Sequence, residues 1–293
     1  MSDSLESLNR KMSGAHDLAS VVRTMKALAA SSVGQYETAV RSLGDYYRTV
    51  ELGLIACIRH NPDAPLAGGK GKQPGTIGAV VFGSDQGLVG QFNDVLADFA
   101  VRALAAMPGP KLVWAVGERV RSRLADAGLP IAGLFPVPNS VAAITPLVGE
   151  IQARLDTSPA GAADAAIHLF HNRPGPAATY QPASRRLLPL DEQWRRDLTK
   201  LRWPTGALPE VIGGPEGAPR ALIREYLFVS LFRTCAESLA AENSSRLAAM
   251  QRAEKNIDDL LVALTRKFNR LRQSSIDEEL FDVISGFEAL SGP

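Results

Sequence analysis

Apolar positions at the two ends of the chain recur at steps of three and four. Near the start they are Leu5, Leu8, Met12 and Ala15, then Leu18, Val22, Met25, Ala29 and Ser32. This spacing draws one stripe along a helix and predicts helix from Asp3 to about Ile58. The step from Ala15 to Leu18 interrupts the strict heptad, and Gly14, Gly34, Gly44 and Gly53 each weaken a helix by about 1 kcal/mol relative to alanine, so bending is expected. Toward the other end Met250, Ala253, Ile257, Leu260, Leu264, Phe268, Leu271 and Ser275 repeat the spacing, followed by Ile276, Leu280, Val283, Phe287 and Leu290. The stretch from Arg220 to Ser285 holds neither glycine nor proline; as one helix it would reach roughly 100 Å at 1.5 Å per residue. Helices of globular proteins average about 10–14 residues, so something beyond a compact domain has to grip such a rod. Two striped helices at opposite ends of one chain pair most simply as an antiparallel coiled coil. In the alternative, each stripe covers a globular core.

Between the helices the period changes. Asn61–Gly75 is a Pro/Gly/Lys linker, after which strand and helix patterns alternate. Strands are expected at Thr76–Phe82, Lys111–Val116, Ile131–Phe135, Ala165–Asn172 and Tyr180–Leu188. Helices are expected at Phe92–Met107, at Glu118–Ala127, and through Leu155 from an N-cap at Thr145 followed by Pro146. The fold class is therefore α/β: a long antiparallel coiled coil of N- and C-terminal helices plus a central Rossmann-like α/β domain. The expected division is 1–60 for the first helix, 61–75 for the linker, 76–190 for the α/β domain, 191–219 for a loop-rich connection and 220–293 for the last helix.

Composition narrows the function classes. A hydrophobic share of 45% in 293 residues is enough for a real core. The net charge of +1 gives no electrostatic case for nucleic acid as a partner. Cys57 and Cys235 are far apart and form no CxxC pair, so neither a metal site nor a redox dithiol is expected. No window approaches 18 uncharged apolar residues, and the opening MSDSLESLNRK is polar with acids, unlike a secretory or transit signal; a soluble, unexported chain is expected.

The sharpest local motif is Gly83-Ser84-Asp85-Gln86-Gly87-Leu88-Val89-Gly90-Gln91-Phe92-Asn93, after a strand and before a helix. That is where a doubly wound fold binds phosphates. It is neither GxGxxG nor GxxxxGK[ST], however. A tight turn is the favoured reading, with glycines permitting unusual backbone angles and Ser84 or Asp85 satisfying free amides. His168 and His171, three apart on a strand, point to opposite faces and share no metal; His16 and His60 have no ligand cluster, and all four read as surface or packing residues. No catalytic centre and no cofactor site stand out. The cluster Arg272-Gln273-Ser274-Ser275-Ile276-Asp277-Glu278-Glu279-Leu280 is by itself the solvated face of a helix.

Taken together, these segments resemble the gamma subunit of F-type ATP synthases. Arg23-Thr24-Met25-Lys26-Ala27-Leu28-Ala29-Ala30-Ser31 is similar to the family's Lys-Ala-Met-Lys-Met-Val-Ala-Ala-Ser. The run from Ser84 to Asn93 is similar to Ser-Asp-Arg-Gly-Leu-Cys-Gly-Gly-Leu-Asn, and Leu187-Leu188-Pro189-Leu190 to the end of its last strand. Glu242-Asn243-Ser244-Ser245-Arg246-Leu247-Ala248-Ala249-Met250 resembles Glu-Gln-Ala-Ala-Arg-Met-Val-Ala-Met. Phe268 to Ile276, with Glu279-Leu280 and Ser285-Gly286, resembles Tyr-Asn-Lys-Ala-Arg-Gln-Ala-Ser-Ile, Glu-Leu and Ser-Gly. Val89, Gln86 and Asp277 depart from the commoner Cys, basic residue and Thr, as in a divergent bacterial member, and the cysteine-bearing insertion of the chloroplast form is missing.

The resemblance implies a non-catalytic rotor. Its paired terminal helices form the shaft inside three α and three β subunits, and its α/β domain joins the epsilon subunit and the membrane c ring. The complex lies on the cytoplasmic face of the bacterial membrane, and this chain is peripheral there. Contacts with β are expected at Arg272, Gln273, Met25, Lys26, Asp85, Gln86 and Glu279. The shaft tip, Leu280, Val283, Ile284, Phe287 and Leu290, is expected to sit in an apolar collar. The rival reading is a nucleotide-dependent α/β enzyme with a coiled-coil dimerisation arm.

Overall fold

The computed structural model describes residues 4–60, 75–161, 165–175, 179–190, 192–200, 203–207 and 214–290. All but the last residue of the expected linker Asn61–Gly75 lies outside them. Two long helices dominate: α1, Leu5–His60, of 56 residues, and α6, Gly214–Leu290, of 77 residues. The chain divides into two compact units, one of Ala29–Arg246 and one of Met1–Leu28 with Leu247–Pro293.

In the first unit, β1 (Ile77–Phe82), β2 (Lys111–Val116), β3 (Ile131–Phe135), β4 (Ala166–Pro174) and β5 (Tyr180–Leu188) form one sheet in the order β3-β2-β1-β4-β5. The pairs β3-β2, β2-β1 and β1-β4 are parallel, while β5 runs antiparallel on β4. Every residue of β1 is buried, as expected for a strand covered on both faces. Ala79, Val81, Val113 and Phe170 pack under α2 (Phe92–Ala105) and α3 (Glu118–Asp126). Val80, Phe82, Trp114 and Leu169 pack against α4 (Ile144–Asp156), Tyr36 of α1, and Leu231, Cys235 and Leu239 of α6.

Within this unit α1 and α6 run antiparallel. Tyr46 donates its hydroxyl to Glu225 at 2.6 Å, the Tyr47 and Tyr226 rings lie 5.6 Å apart, and Gly53 abuts Leu222. The Arg185 guanidinium from β5 sits 5.2 Å from the Tyr47 ring and 5.9 Å from that of Tyr226, and donates to both hydroxyls. That staples sheet and helices, with the Glu51 carboxylate close enough to act on both Tyr47 and Arg185.

Three expected boundaries shift. α4 begins at Ile144, with Ala143 at its cap, so Thr145 lies inside the helix; Ser140 closes the preceding turn by accepting the Ala143 amide at 3.3 Å. The stretch expected as connection at 191–219 contains a short helix, α5 (Glu192–Thr199). α6 opens at Gly214 and carries Pro219 inside it. Proline is tolerated close to a helix start, where amides lack intrahelical acceptors.

In the second unit the two long helices pair through Ala15, Ala19, Val22 and Met25 against Met250, Ala253, Ile257 and Leu261. Here the stripe differs from expectation. Leu18 is 53% exposed and Ala19 only 3%, so the seam passes from Ala15 through Ala19 to Val22 with no break in the heptad. On α6, likewise, Leu260 is 49% exposed and Leu261 takes its place in the seam. Small residues on α1 let the backbones approach, so the larger Leu18 is turned outward.

Candidate partner-binding surfaces

The loop after β1 is built by its own side chains. Asn93 Oδ1 accepts the Ser84 amide at 3.0 Å, and Asn93 Nδ2 donates to Ser84 Oγ at 2.8 Å. Asp85 accepts the amides of Glu118 at 2.9 Å and Val137 at 2.8 Å, which caps α3, where Gly117 has no side chain to offer. Leu88 has φ 63° and Gly90 φ 58°. The turn reading therefore holds: Asp85 satisfies free amides as expected, while Ser84 Oγ donates to the Gln86 carbonyl at 2.8 Å instead. Gly83 has no room for a side chain, because a Cβ there would come within 2.3 Å of Val120. Asp85 is thus committed internally, whereas Gln86 and Leu88 on the same loop are exposed. Val89 is buried with Phe92 and Ala241.

The strand order reverses between β1 and β4, which is where an open α/β sheet receives a ligand. In this chain α6 fills that place. Every residue from Thr234 to Ser245 is buried. Ser238 Oγ donates to the Phe82 carbonyl at 2.8 Å and Ser245 Oγ to the Val89 carbonyl at 2.6 Å. Glu237 receives His171 Nε2 from β4 at 2.9 Å and Arg233 Nε at 2.8 Å. Burial alone would push the Glu237 carboxyl up; the hydrogen bonds from His171 and Arg233 overturn that and hold it at about 2. One turn further, Glu242 pairs with Arg246 at 2.6 Å, and burial raises its carboxyl above the ordinary range. The crevice that a nucleotide enzyme would use is packed with the protein's own helix.

His171 is thus more than a packing residue. Its role was invisible in the sequence because its partner lies 66 positions away. His16 and His60 are exposed. His168 is half-buried, and burial together with Arg186 lowers its pKa. Among the described residues no group of three or more His, Cys, Asp or Glu side chains is placed to hold a metal ion, and no helix is long and apolar enough to cross a membrane.

The other expected contact residues lie in the helix-pair unit. Met25 is half-buried in the seam, and Lys26 Nζ bonds Glu254 at 2.5 Å, with Arg23 on the same carboxylate at 3.3 Å. Both are therefore largely engaged within the pair. Arg272, Gln273 and Glu279 are exposed on α6. From Ile276 to Phe287 every residue is exposed, including Leu280 at 56%, Val283 at 69%, Ile284 at 45% and Phe287 at 72%. Phe281, 68% exposed, was missed because it falls off the three-four spacing. The side chain of Leu290 lies outside the described residues.

A family model described as ATP synthase matches residues 4–290. A relative named ATP synthase gamma chain from Syntrophus aciditrophicus (strain SB) is 28% identical, with 98% of each chain covered. Another of that name from Frankia casuarinae is 28% identical over 99% of each chain. Among solved structures, a chain in the rotor of the Euglena gracilis mitochondrial ATP synthase superposes with a TM-score of 0.64 at 16% identity, covering 93% of this chain and 98% of that one. One in an OSCP/F1/c-ring assembly from the same organism gives 0.66 at 16% identity, covering 98% and 94%. A polar turn in place of a phosphate loop, a ligand crevice filled by α6 and a bare apolar helix end agree with that match, and the chain belongs to the ATP synthase family that includes these gamma chains.

Proposed function

We propose that this chain is the central-stalk rotor of an ATP synthase, a non-catalytic subunit that couples ion flow through a membrane ring to ATP synthesis or hydrolysis on other subunits. The observation that carries this reading is the end of α6. Ile276, Leu280, Phe281, Val283 and Ile284 stand exposed on one helix, a pattern that soluble surfaces avoid unless a partner covers them. Apolar contact offers few directional bonds, so a collar around such a tip holds it while letting it turn. Exposed Arg272 and Gln273 sit one turn before it and are suited to charge-assisted or amide bonds that favour one angular position. Gln86 offers a further polar contact, while Lys26 and Met25 contribute through the seam they stabilise.

A rotor shifts three otherwise identical catalytic sites only if it meets each with a different free energy. Exposed charged residues such as Arg272 and Glu279 stand on α6 beside exposed apolar ones such as Leu280 and Phe281, and different neighbours at each site would supply that inequality. Each ion crossing about 100 mV delivers about 2.3 kcal/mol, so several act through the shaft for each ATP. The partners are three α and three β subunits around the shaft, with epsilon and the c ring at the α/β domain, on the cytoplasmic face of a bacterial membrane. Purifying the tagged chain from gently solubilised membranes is expected to bring α, β and ring subunits with it. Recovery as a lone homodimer that binds nucleotide would favour the enzyme reading instead.

A further inference from the structure

We infer that the polar seam between α6 and the strand ends of β1 and β4 is where the α/β domain holds the rotor helix against twisting, with Ser238 and Ser245 as positioning residues. The inference rests on the rotor reading. Apolar packing of Leu231, Cys235 and Leu239 resists turning through the fit of shapes, but it carries no directional bond. Hydrogen bonds are directional and weaken steeply once bent. Ser238 and Ser245 are seven residues apart, hence on one face of α6 two turns from each other. Their hydroxyls grip the two ends of a single loop, at the Phe82 carbonyl and the Val89 carbonyl. Glu237, on the neighbouring face, is gripped from β4 by His171 and braced by Arg233. Three cross-connections, from the end of β1, the loop after it and β4, thus bear on the angle of one helix inside a buried site. Small side chains, Ala236, Ala240 and Ala241, fill the space between and impose no comparable angle.

Turning α6 by one residue step would strand two hydroxyls, two carbonyls and a carboxylate away from water, which buried groups resist. The same bonds that close the nucleotide crevice therefore give the domain its purchase. In an isolated domain they would be ornament to the packing, but in a rotor they lie on the path that torque must take.

The test uses the assembled complex with its α and β subunits fixed to a surface and a bead attached through Ala105→Cys, on the exposed side of α2. The double variant Ser238→Ala/Ser245→Ala is expected to hydrolyse ATP at the wild-type rate without load, while the angular variance of the bead during a catalytic pause rises roughly twofold, since water-replaced bonds no longer resist twist. Val229→Ala, which removes apolar packing on the same helix and no hydrogen bond, is expected to leave that variance unchanged. An unchanged variance in the double variant, or equal broadening by Val229→Ala, overturns the inference. A wild-type assembly that shows no ATP-driven rotation overturns the rotor reading and this inference with it.

Discussion

Removing the carboxylate of Glu237 tests the seam energetically. An ordinary carboxyl at 4.5 is held here at about 2, by hydrogen bonds that outweigh burial. At 1.36 kcal/mol per pH unit, that gap is worth about 3 kcal/mol of stability. The sign follows from the direction. Because the folded-state value is depressed, the contribution is complete above pH 4.5 and is lost as pH falls from there through about 2. Glu237→Gln keeps an acceptor but not the charge, and is expected to cost about 2–3 kcal/mol at pH 7 and to flatten the acid limb between those values. Glu237→Ala also leaves His171 and Arg233 without their acceptor, and is expected to cost about 3–5 kcal/mol. Urea unfolding of the purified chain, followed by tryptophan fluorescence, reads this directly, because Trp114, Trp194 and Trp203 all lie in the α/β unit. Glu237→Ala within about 1 kcal/mol of wild type at pH 7, or an unchanged acid limb in Glu237→Gln, would refute the reasoning, since one buried bond alone accounts for that much.

Other outcomes follow from particular positions. Ala19→Glu buries a charge in the helix seam and is expected to raise hydrogen exchange of residues 8–25, whereas Leu18→Ala, at an exposed site, changes stability by less than about 0.5 kcal/mol; equal effects would contradict the seam register. Gly83→Ala forces Val120 or the strand end to move and is expected to destabilise by more than about 2 kcal/mol in thermal unfolding. Gly34→Ala, where a Cβ meets nothing within 4 Å, is expected to stabilise α1 by about 0.5–1 kcal/mol in the same assay. Arg272→Ala/Gln273→Ala is expected to lower ATP synthesis in energised vesicles while thermal unfolding stays within about 0.5 kcal/mol of wild type; unchanged synthesis would remove these residues from the coupling contact.

The long-range plan of the fold was legible because it rests on period. Steps of three and four marked α1 and α6, and β-rich runs of five to nine residues marked the strands within a residue or two of their bounds. What failed was the choice between neighbours of equal polarity. Leu18 and Leu260 looked like better seam residues than Ala19 and Leu261, because hydrophobicity does not report how closely two backbones approach. The Gly83–Asn93 turn was readable from local chemistry, since Ser84, Asp85 and Asn93 supply acceptors within a short stretch. The Glu237–His171–Arg233 cluster was not, since only the folded sheet brings β4 and α6 together. Buried serines on α6 carried no warning either. Ser238 and Ser245 become informative only once the Phe82 and Val89 carbonyls are seen beneath them.

Rotation is the claim on which the rest depends. With α and β subunits immobilised and a bead on this chain, ATP is expected to drive continuous turning in one direction, in three pauses per revolution if the proposed three catalytic sites surround the shaft. ATP hydrolysis by the same assembly with the bead held at a fixed angle would contradict the account.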